Sequence, residues 1–225
     1  MIGNVINVVA ILFGCLAGKL LGNRLNENFR EAATKAGGLA LLLLGLSMAL
    51  TGNQFILILL SIVFGSIIGE ALNIDGAMER FGKKVEDKVA AGSDGFSKGF
   101  VYATLLFCIG PMSIMGSIAG GLQGEHSILI TKAVLDGIFA SILTVTMGIG
   151  VVGSAVTTGV YQGAIVLGAR WIEQFLTDAI VTEMTATGGL LILAIGLNML
   201  KIKEFKTANM LPALLLICVL VALWP

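Results

Sequence analysis

Long apolar stretches separated by short polar ones run the whole length of the chain. A helix needs about 20 mostly apolar residues to cross a bilayer. The candidate stretches are residues 4–22, 36–50, 54–72, 97–121, 128–150, 156–173, 186–200 and 207–224. The pattern predicts an all-α polytopic membrane protein with about eight transmembrane helices, which are numbered here as segments 1 to 8.

Composition supports the membrane interpretation. Hydrophobic residues make up 56% of the chain and charged residues 12%, whereas a typical soluble domain is about 25% charged. A soluble domain of this length would leave too much of that apolar surface in water. The formal net charge is zero, so nothing indicates nucleic-acid binding. The expected surroundings are the lipid bilayer.

The first apolar stretch lacks both a positively charged start and a clean cleavage site, so we interpret it as a retained helix and not as a secretion signal. Cys15, Cys108 and Cys218 lie in apolar stretches and form no spaced cluster. We therefore expect no disulfide framework, no metal site and no cofactor.

Residues 73–95 are the one long polar stretch. Met78, Phe81, Val85 and Val89 recur there at helical spacing among charged residues, which predicts an amphipathic helix at the membrane surface. A solvated connector is one interpretation, and a lipid-sensing or partner-docking element is the other. On this basis the single transmembrane domain, 1–225, divides into repeat one (1–74), a cytoplasmic connector (75–95), a central unit (96–151) and repeat two (152–225).

Basic residues concentrate in three of the loops, after segments 1, 3 and 7. They are Arg24, Arg30 and Lys35; Arg80, Lys83, Lys84, Lys88 and Lys98; and Lys201, Lys203 and Lys206. With eight crossings all three loops fall on one side, which the positive-inside rule makes the cytoplasm. Both termini are then predicted to lie outside.

An internal repeat relates segments 2 and 7. GGLALLLLGLSMA at 37–49 aligns with GGLLILAIGLNML at 188–200 without a gap. Because segments 2 and 7 cross in opposite directions in this topology, the repeat would be inverted and would relate segments 1–3 to segments 6–8. Inverted repeats that flank a central unit are a recurrent transporter architecture, although duplication without a transport role remains an alternative.

The central segments 4 and 5 carry the unusual chemistry. Gly110 and Pro111 predict a break in segment 4, because proline removes a backbone donor and clashes with the preceding turn. The broken backbone would need partners from protein, water or a bound solute. The residues that we expect to line such a site here are Cys108, Gly110, Pro111, Met112, Ser113 and Ser117. The alternative is a kink that serves packing alone.

Segment 5 places Asp136 inside an apolar run, one helical turn after Lys132. An intramembrane carboxylate is a functional candidate; the alternative is a self-neutralising Lys–Asp pair near the interface. Thr144 adds a hydroxyl further along the segment. We expect two more binding residues in segment 7, Glu183 at its start and Asn198 near its end.

Glycine ridges predict close helix packing. Gly14, Gly18 and Gly22 form a double G-x-x-x-G ridge in segment 1, and Gly65 and Gly69 a shorter one in segment 3. Such ridges let backbones approach within one chain or across a homodimer. We expect a homo-oligomer, as a dimer, because a chain this small needs a partner to complete a scaffold.

Several long runs resemble a known family. LLFCIGPMSIMGS, TKAVLDG, EMTATGGLLILAIGLNML and ANMLPALL are similar to the bacterial membrane family called domain of unknown function 554. The resemblance covers nearly the whole chain and implies a multi-pass protein of the bacterial inner membrane. It implies no substrate. The family's F-C-x-G-P-M and L-D-G runs fall here on 107–112 and 135–137.

The leading functional hypothesis is a small secondary transporter. A solute or ion would bind at the membrane midplane between segments 4 and 5, with Asp136 or Glu183 coupling transport to H⁺ or Na⁺. A channel-like pore in an oligomer and a structural or regulatory membrane protein are the alternatives. We expect no enzyme, because His126 is the single histidine and no catalytic set accompanies it. The sequence leaves open whether segments 4 and 5 cross fully or fold back as re-entrant hairpins.

Overall fold

A computed structural model describes residues 1–22, 26–80 and 96–224, and these residues are helical apart from short connections. The long helices are α1 (Ile2–Gly22), α2 (Glu27–Ala49), α3 (Phe55–Leu72), α4 (Phe96–Cys108), α5 (Pro111–Leu122), α6 (Ser127–Met147), α7 (Gly153–Ile172), α8 (Asp178–Met199) and α9 (Pro212–Leu223). Two 3₁₀ helices, Ile149–Val152 and Thr207–Met210, precede α7 and α9. The all-α prediction is confirmed.

Six helical stretches within the described residues are long and apolar enough to cross a membrane. They are Ile2–Gly22, Glu27–Ala49, Phe55–Leu72, Ser127–Met147, Ile149–Ile172 and Asp178–Met199. The pair α4 and α5 passes the same test together and is bent by 59° at its break, while Thr207–Leu223 is a shorter apolar helix. Each of the eight apolar segments in the sequence therefore coincides with a helix or with this bent pair.

Two helices begin earlier than the apolar pattern predicts. α2 starts at Glu27, where a polar turn is held by an ion pair between Lys35 and Glu31 at 2.8 Å. α8 starts at Asp178, after Thr177 accepts the backbone N–H of Ile180. Polar capping and ion-paired turns extend both helices beyond their apolar cores.

The predicted amphipathic helix of 73–95 lies mostly outside the described residues. Residues 74–80 are helical. The rest of that prediction falls on 81–95, which the structure does not describe.

The chain divides into two compact units, each of which combines two separate stretches of the sequence. One unit is Met1–Ala36 with Gly82–Phe175, and the other is Gly37–Phe81 with Leu176–Pro225. The first unit contains α1 and α4 to α7, and the second contains α3, α8, α9 and most of α2. The central helices thus share a unit with the first helix of each proposed repeat.

Glycines bring α1 against α6 in the first unit. Gly14 lies so close to α6 that a methyl group there would collide with the backbone oxygen of Gly137, and Gly18 is as close to Ser141. The two helices run parallel, since Gly3 neighbours Leu129 at one end and Gly18 neighbours Ser141 at the other. The ridge predicted in segment 1 is confirmed as a close contact within one chain.

In the second unit, residues 37–49 of α2 cross α8 in the antiparallel sense. Gly38 lies beside Gly196, and Gly45 lies beside Gly189. A methyl group at any of these four positions would meet a neighbouring atom at 3.0 Å or less, so the two backbones touch along the whole crossing.

The same unit pairs α3 with α9. Gly65 packs against the backbone of Ala213, and Gly69 packs against that of Asn209. The predicted ridge of segment 3 is therefore occupied within the chain, as is that of segment 1. A homodimer stays a prediction, and it would have to use other surfaces.

The end of α3 meets the basic loop after α8. Lys206 donates to Glu70 at 2.6 Å, and Asn209 donates to the other oxygen of the same carboxylate at 2.6 Å. Hydrogen bonding to Glu70 and its negative charge raise the pKa of Lys206 above its usual value. The loops that follow α3 and α8 therefore lie at the same end of this unit.

The glycine contacts predict a position-specific effect on stability. We expect Gly14→Ala to lower the free energy of unfolding by about 1–3 kcal/mol, because the new methyl overpacks the α6 backbone. Thermal or denaturant unfolding of the purified protein in detergent measures this change.

The matched control is Gly22→Ala on the same helix face, where the nearest atom would lie at 3.6 Å, an ordinary contact. It should change stability by less than about 0.5 kcal/mol. Equal losses in the two variants would contradict the close approach of α1 and α6.

Candidate functional site

The break between α4 and α5 is a glycine that no other residue replaces easily. Gly110 has φ 144° and ψ 150°, a positive-φ conformation that L-residues with a side chain rarely adopt. Its carbonyl accepts the backbone N–H of Ser113 at 3.1 Å, and Pro111 is the first residue of α5. The break predicted from Gly110 and Pro111 is confirmed.

Both halves of the broken element follow α7 in the same direction. Thr104 of α4 contacts Thr157 at 2.9 Å, and Gly121 near the end of α5 packs on Val166. A re-entrant hairpin would send its second half back toward the start of α7. The bent pair instead continues forward, as expected for a kinked crossing.

A second glycine break follows α6. Gly148 has φ 84° and ψ −168° and separates α6 from the 3₁₀ helix Ile149–Val152. Both central elements therefore end a helix at a positive-φ glycine, where the last carbonyls of the helix lose their intrahelical partners.

Asp136 is the buried anion of the first unit. Its carboxylate Oδ2 accepts a hydrogen bond from Lys132 Nζ, one turn earlier on α6. Both side chains are less than one-tenth exposed, and the ammonium also lies 5.9 Å from the Phe107 ring centroid. The pair is neutral as a whole, which lowers the cost of placing two charges in an apolar helix bundle.

A chain of amides and hydroxyls continues from Asp136 across the unit. Asn7 Nδ2 donates to Asp136 Oδ2 at 3.0 Å and lies 3.3 Å from Gln162 Oε1. Gln162 Nε2 then donates to Ser113 Oγ at 3.1 Å. We call Asn7, Ser113, Lys132, Asp136 and Gln162 the polar cluster; its members come from α1, α5, α6 and α7.

Two acceptor oxygens beside the polar cluster have no partner. Asn7 Oδ1 and Asn4 Oδ1 are both buried without a hydrogen-bond donor among the described residues, although Asn4 Nδ2 donates to the Gly159 carbonyl at 2.9 Å. A buried acceptor without a donor costs about 1–3 kcal/mol. These oxygens are therefore suited to a solute N–H or O–H, or to a cation.

Some of the residues predicted to bind a solute meet in this place. Ser113 belongs to the polar cluster, Ser117 donates to the Ser113 carbonyl at 2.6 Å, and Asp136 is the cluster's anion. Cys108 is not a member of the polar cluster, and its Sγ lies 3.8 Å from Oγ1 of Thr158 on α7.

Other residues predicted to bind a solute are not members of the polar cluster. Pro111 is exposed and Met112 is half-buried. Thr144 is buried near Gly18 of α1, but it lies about 12 Å further along α6 than Asp136 at 1.5 Å per residue. Gly110 contributes backbone at the break.

Glu183 and Asn198 were both predicted to bind a solute. They lie in the second unit, and each bonds the backbone of a turn there. Glu183 is the sixth residue of α8 and does not start that helix; its carboxylate instead caps the start of α3. Asn198 bonds the backbone of Phe205 in the following loop, with its Oδ1 accepting and its Nδ2 donating. Neither residue takes part in the polar cluster.

The cluster members that the prediction omitted are Asn7, Lys132 and Gln162. Asn4 and Asn7 share one face of an otherwise apolar helix, three residues apart, which is a visible signal of a buried polar contact. Their partners on α6 and α7 are 129 and 155 residues away in the chain, so spacing alone does not join them.

Comparison with known proteins places the chain in a family. The family described as protein of unknown function DUF554 matches residues 2–222. The chain belongs to the DUF554 family.

Two relatives of this DUF554 protein agree with that membership. The chain described here is 33% identical over 220 residues to the uncharacterized membrane protein YdfK of Bacillus subtilis (strain 168). The match covers 96% of this chain and 93% of YdfK. The chain is 32% identical over 229 residues to the uncharacterized protein YqgA of Escherichia coli (strain K12), covering 100% and 97%. No solved structure matches the chain.

The ion pair predicts strongly non-additive effects on stability in this DUF554 protein. Lys132→Met leaves the Asp136 carboxylate buried without its counter-charge, so we expect a loss of about 3–5 kcal/mol in unfolding free energy. The double variant Lys132→Met with Asp136→Asn removes both charges and should recover most of that loss. Unfolding of the four proteins in the cycle gives the coupling.

Lys19→Met is the matched control, because Lys19 is an exposed lysine of α1; it should be close to neutral. Additive losses in the cycle would mean that Lys132 and Asp136 do not interact.

Proposed function

We propose that this membrane protein is a small secondary transporter whose solute or ion binds at the polar cluster. The observation that carries the proposal is a buried, hydrogen-bonded set of charged and amide groups beside a broken crossing. Ionisable groups inside apolar helices are costly and commonly mark transport pathways, and broken helices present backbone groups to such sites.

The binding group would be small and polar. Lys132 and Asp136 offer one charge of each sign, and the free Asn4 and Asn7 oxygens offer two further acceptors. A solute cation could take the place of Lys132 at Asp136, and a solute donor could bond the two amide oxygens that meet no donor among the described residues.

An inverted repeat would supply the two states that a transporter needs. The offset of 151 residues that aligns Gly37 with Gly188 also moves α1 (Ile2–Gly22) onto 153–173, where α7 (Gly153–Ile172) lies. The same offset moves α2 onto 178–200, the position of α8, and α3 onto 206–223, the position of Thr207–Leu223.

The helix contacts agree with a two-fold relation between the repeats. Under the offset Gly38 corresponds to Gly189 and Gly45 to Gly196, yet Gly38 contacts Gly196 and Gly45 contacts Gly189. Such exchanged contacts are what a two-fold axis between two antiparallel copies produces, which supports the proposed repeat.

The central elements fit the same relation. α6 runs parallel to α1, and the bent α4–α5 pair runs parallel to α7. If α1 and α7 are equivalent helices of opposite direction, the two central elements are equivalent too. Gly110 and Gly148 would then be the hinges at which each central element changes shape when the site opens to one side or the other.

The proposed topology has eight crossings in the bacterial cell membrane, with both termini outside and the basic loops in the cytoplasm. It follows from the positive-inside rule and from the forward course of the bent α4–α5 pair along α7. The contact of Lys206 with Glu70 supports it, because it joins the loops after α3 and α8 at one end.

Cysteine labelling tests this topology. In a background without the three native cysteines, Thr51→Cys and Glu125→Cys should react with a membrane-impermeant maleimide on intact spheroplasts. Lys203→Cys should react only after permeabilisation. If the α4–α5 pair were re-entrant, Glu125→Cys and Lys203→Cys would exchange their behaviour, and the eight-crossing topology would be wrong.

A ligand screen tests the transport proposal. We expect at least one ion or small metabolite to raise the apparent Tm of the purified protein, because a ligand that binds only the folded state stabilises it by mass action. The shift should vanish in Asp136→Asn and persist in Lys19→Met.

The stabilising compound is then tested for flux in proteoliposomes. A carrier gives saturable uptake and counterflow, whereas a pore conducts steadily under voltage. A compound that binds wild type but shows no flux, or shows flux without saturation or counterflow, would contradict the transporter proposal.

A further inference from the structure

A second buried carboxylate lies outside the polar cluster, in the other unit. Glu183 of α8 is 2% exposed. Its Oε1 accepts the backbone N–H of Asn53 at 2.8 Å and that of Gln54 at 3.2 Å. Those two residues form the turn that begins α3, so the carboxylate sits at the positive end of that helix.

The other oxygen of the same carboxylate has no donor. Glu183 Oε2 is buried without a hydrogen-bond partner among the described residues, and so is the side-chain oxygen Oε1 of Gln54. The two residues are already joined through the Gln54 N–H. A buried charged oxygen without a partner is among the most costly arrangements in a protein, and a bound cation would remove that cost.

Gly52 and two apolar side chains lie close beside Oε2, which leaves no space there for a larger solute. A methyl group built on Gly52 would lie 3.1 Å from Oε2, and it would also meet the side chains of Ile58 and Ala186. Both of those side chains are buried and apolar. One carboxylate charge and one amide oxygen suit a small hard monovalent cation.

The turn after α8 corresponds, in the proposed repeat, to the turn after α2. It is held by a neutral side chain. The offset of 151 residues places Phe205 opposite Gln54. The Phe205 N–H is accepted by Asn198 Oδ1 at 2.7 Å, and Asn198 Nδ2 donates to the Phe205 carbonyl at 2.9 Å. A neutral amide therefore holds that turn with both its polar atoms used, whereas Glu183 holds its turn and keeps one oxygen free.

We propose that Glu183 Oε2, together with Gln54 Oε1, binds a small monovalent cation, Na⁺. The cation would neutralise a carboxylate that anchors the turn between α2 and α3 to α8. Binding at this site does not depend on the transporter proposal. If that proposal holds, this is the site for a coupling ion.

Residues 37–49 of α2, which cross α8, carry no titratable side chain. Few other titratable groups lie on the remaining described helices that pack against α8. They are Asp178 on α8 itself, Glu70 on α3, Cys218 on α9 and Lys206 before the 3₁₀ helix Thr207–Met210. Glu70 and Lys206 bond each other at the far end of α3, 16 residues from Gln54, or about 24 Å of helix. Cys218 contacts Met184, next to Glu183, so the test uses a Cys218→Ser background.

The test measures the apparent Tm of the purified protein in nanodiscs. NaCl is exchanged for choline chloride at constant ionic strength, at several pH values. If Na⁺ binds, raising it to about ten times its Kd should raise Tm by about 3 °C or more, and choline should not.

Glu183→Gln keeps the capping oxygen and removes the charge, so it should abolish the sodium effect. Asn198→Ala, which cuts the neutral cap, should lower Tm while leaving the cation response unchanged. Gln54→Ala should raise the Na⁺ concentration at which the Tm response reaches its midpoint. This variant replaces Glu183→Gln in the test if Glu183→Gln does not fold.

A wild-type protein whose Tm does not respond to Na⁺ would overturn the proposal. So would a response that survives unchanged in Glu183→Gln, or, if that variant does not fold, in Gln54→Ala. Because none of these measurements requires flux, a failed transport assay leaves this result intact, and a failed cation response leaves the polar cluster in place.

Discussion

A carboxylate inside an apolar helix bundle must be neutralised, and the first unit is organised around that requirement. Asp136 receives one charge from Lys132 on its own helix and one amide donor from Asn7 on α1. Lipid offers neither a proton donor nor a dielectric that tolerates a free charge. The α1–α6 contact is therefore fixed twice, by this polar bond and by the glycines that bring the two backbones together.

Close backbone contact is the second constraint, and glycine meets it in both units. In the bilayer no hydrophobic effect drives helix against helix, so packing depends on how many atoms touch. Residues 37–49 of α2 meet α8 along glycines, and α3 meets α9 in the same way. Most of the large apolar side chains on α1 and α3 remain exposed, as lipid-facing positions should.

Much of this fold is predictable from hydropathy because each crossing must be apolar over a fixed length. The break at Gly110 and the glycine ridges follow from local rules about backbone freedom and side-chain size. The starts of α2 and α8 do not, since their first turns are polar and are stabilised by capping and ion pairs.

The composition of the site was less predictable. Asp136, Ser113 and Ser117 carry local signals, because a carboxylate or a hydroxyl stands out beside a broken apolar run. The partners Asn7 and Gln162 depend on which helices meet, which a single sequence does not encode at short range. The sequence predicts Glu183 as a binding residue, but its contact with the start of α3 depends on a turn 129 residues away.

The exchanged glycine contacts of α2 and α8 bear on how such a chain is inserted. If the two halves are inverted copies, the translocon must thread nearly equivalent helices in opposite directions. The cue is charge: the turn after α2 has no basic residue, whereas the corresponding turn after α8 carries Lys201, Lys203 and Lys206. In that case three lysines on one copy separate two orientations that the helices themselves do not distinguish, and insertion of the pair would depend on a few loop positions.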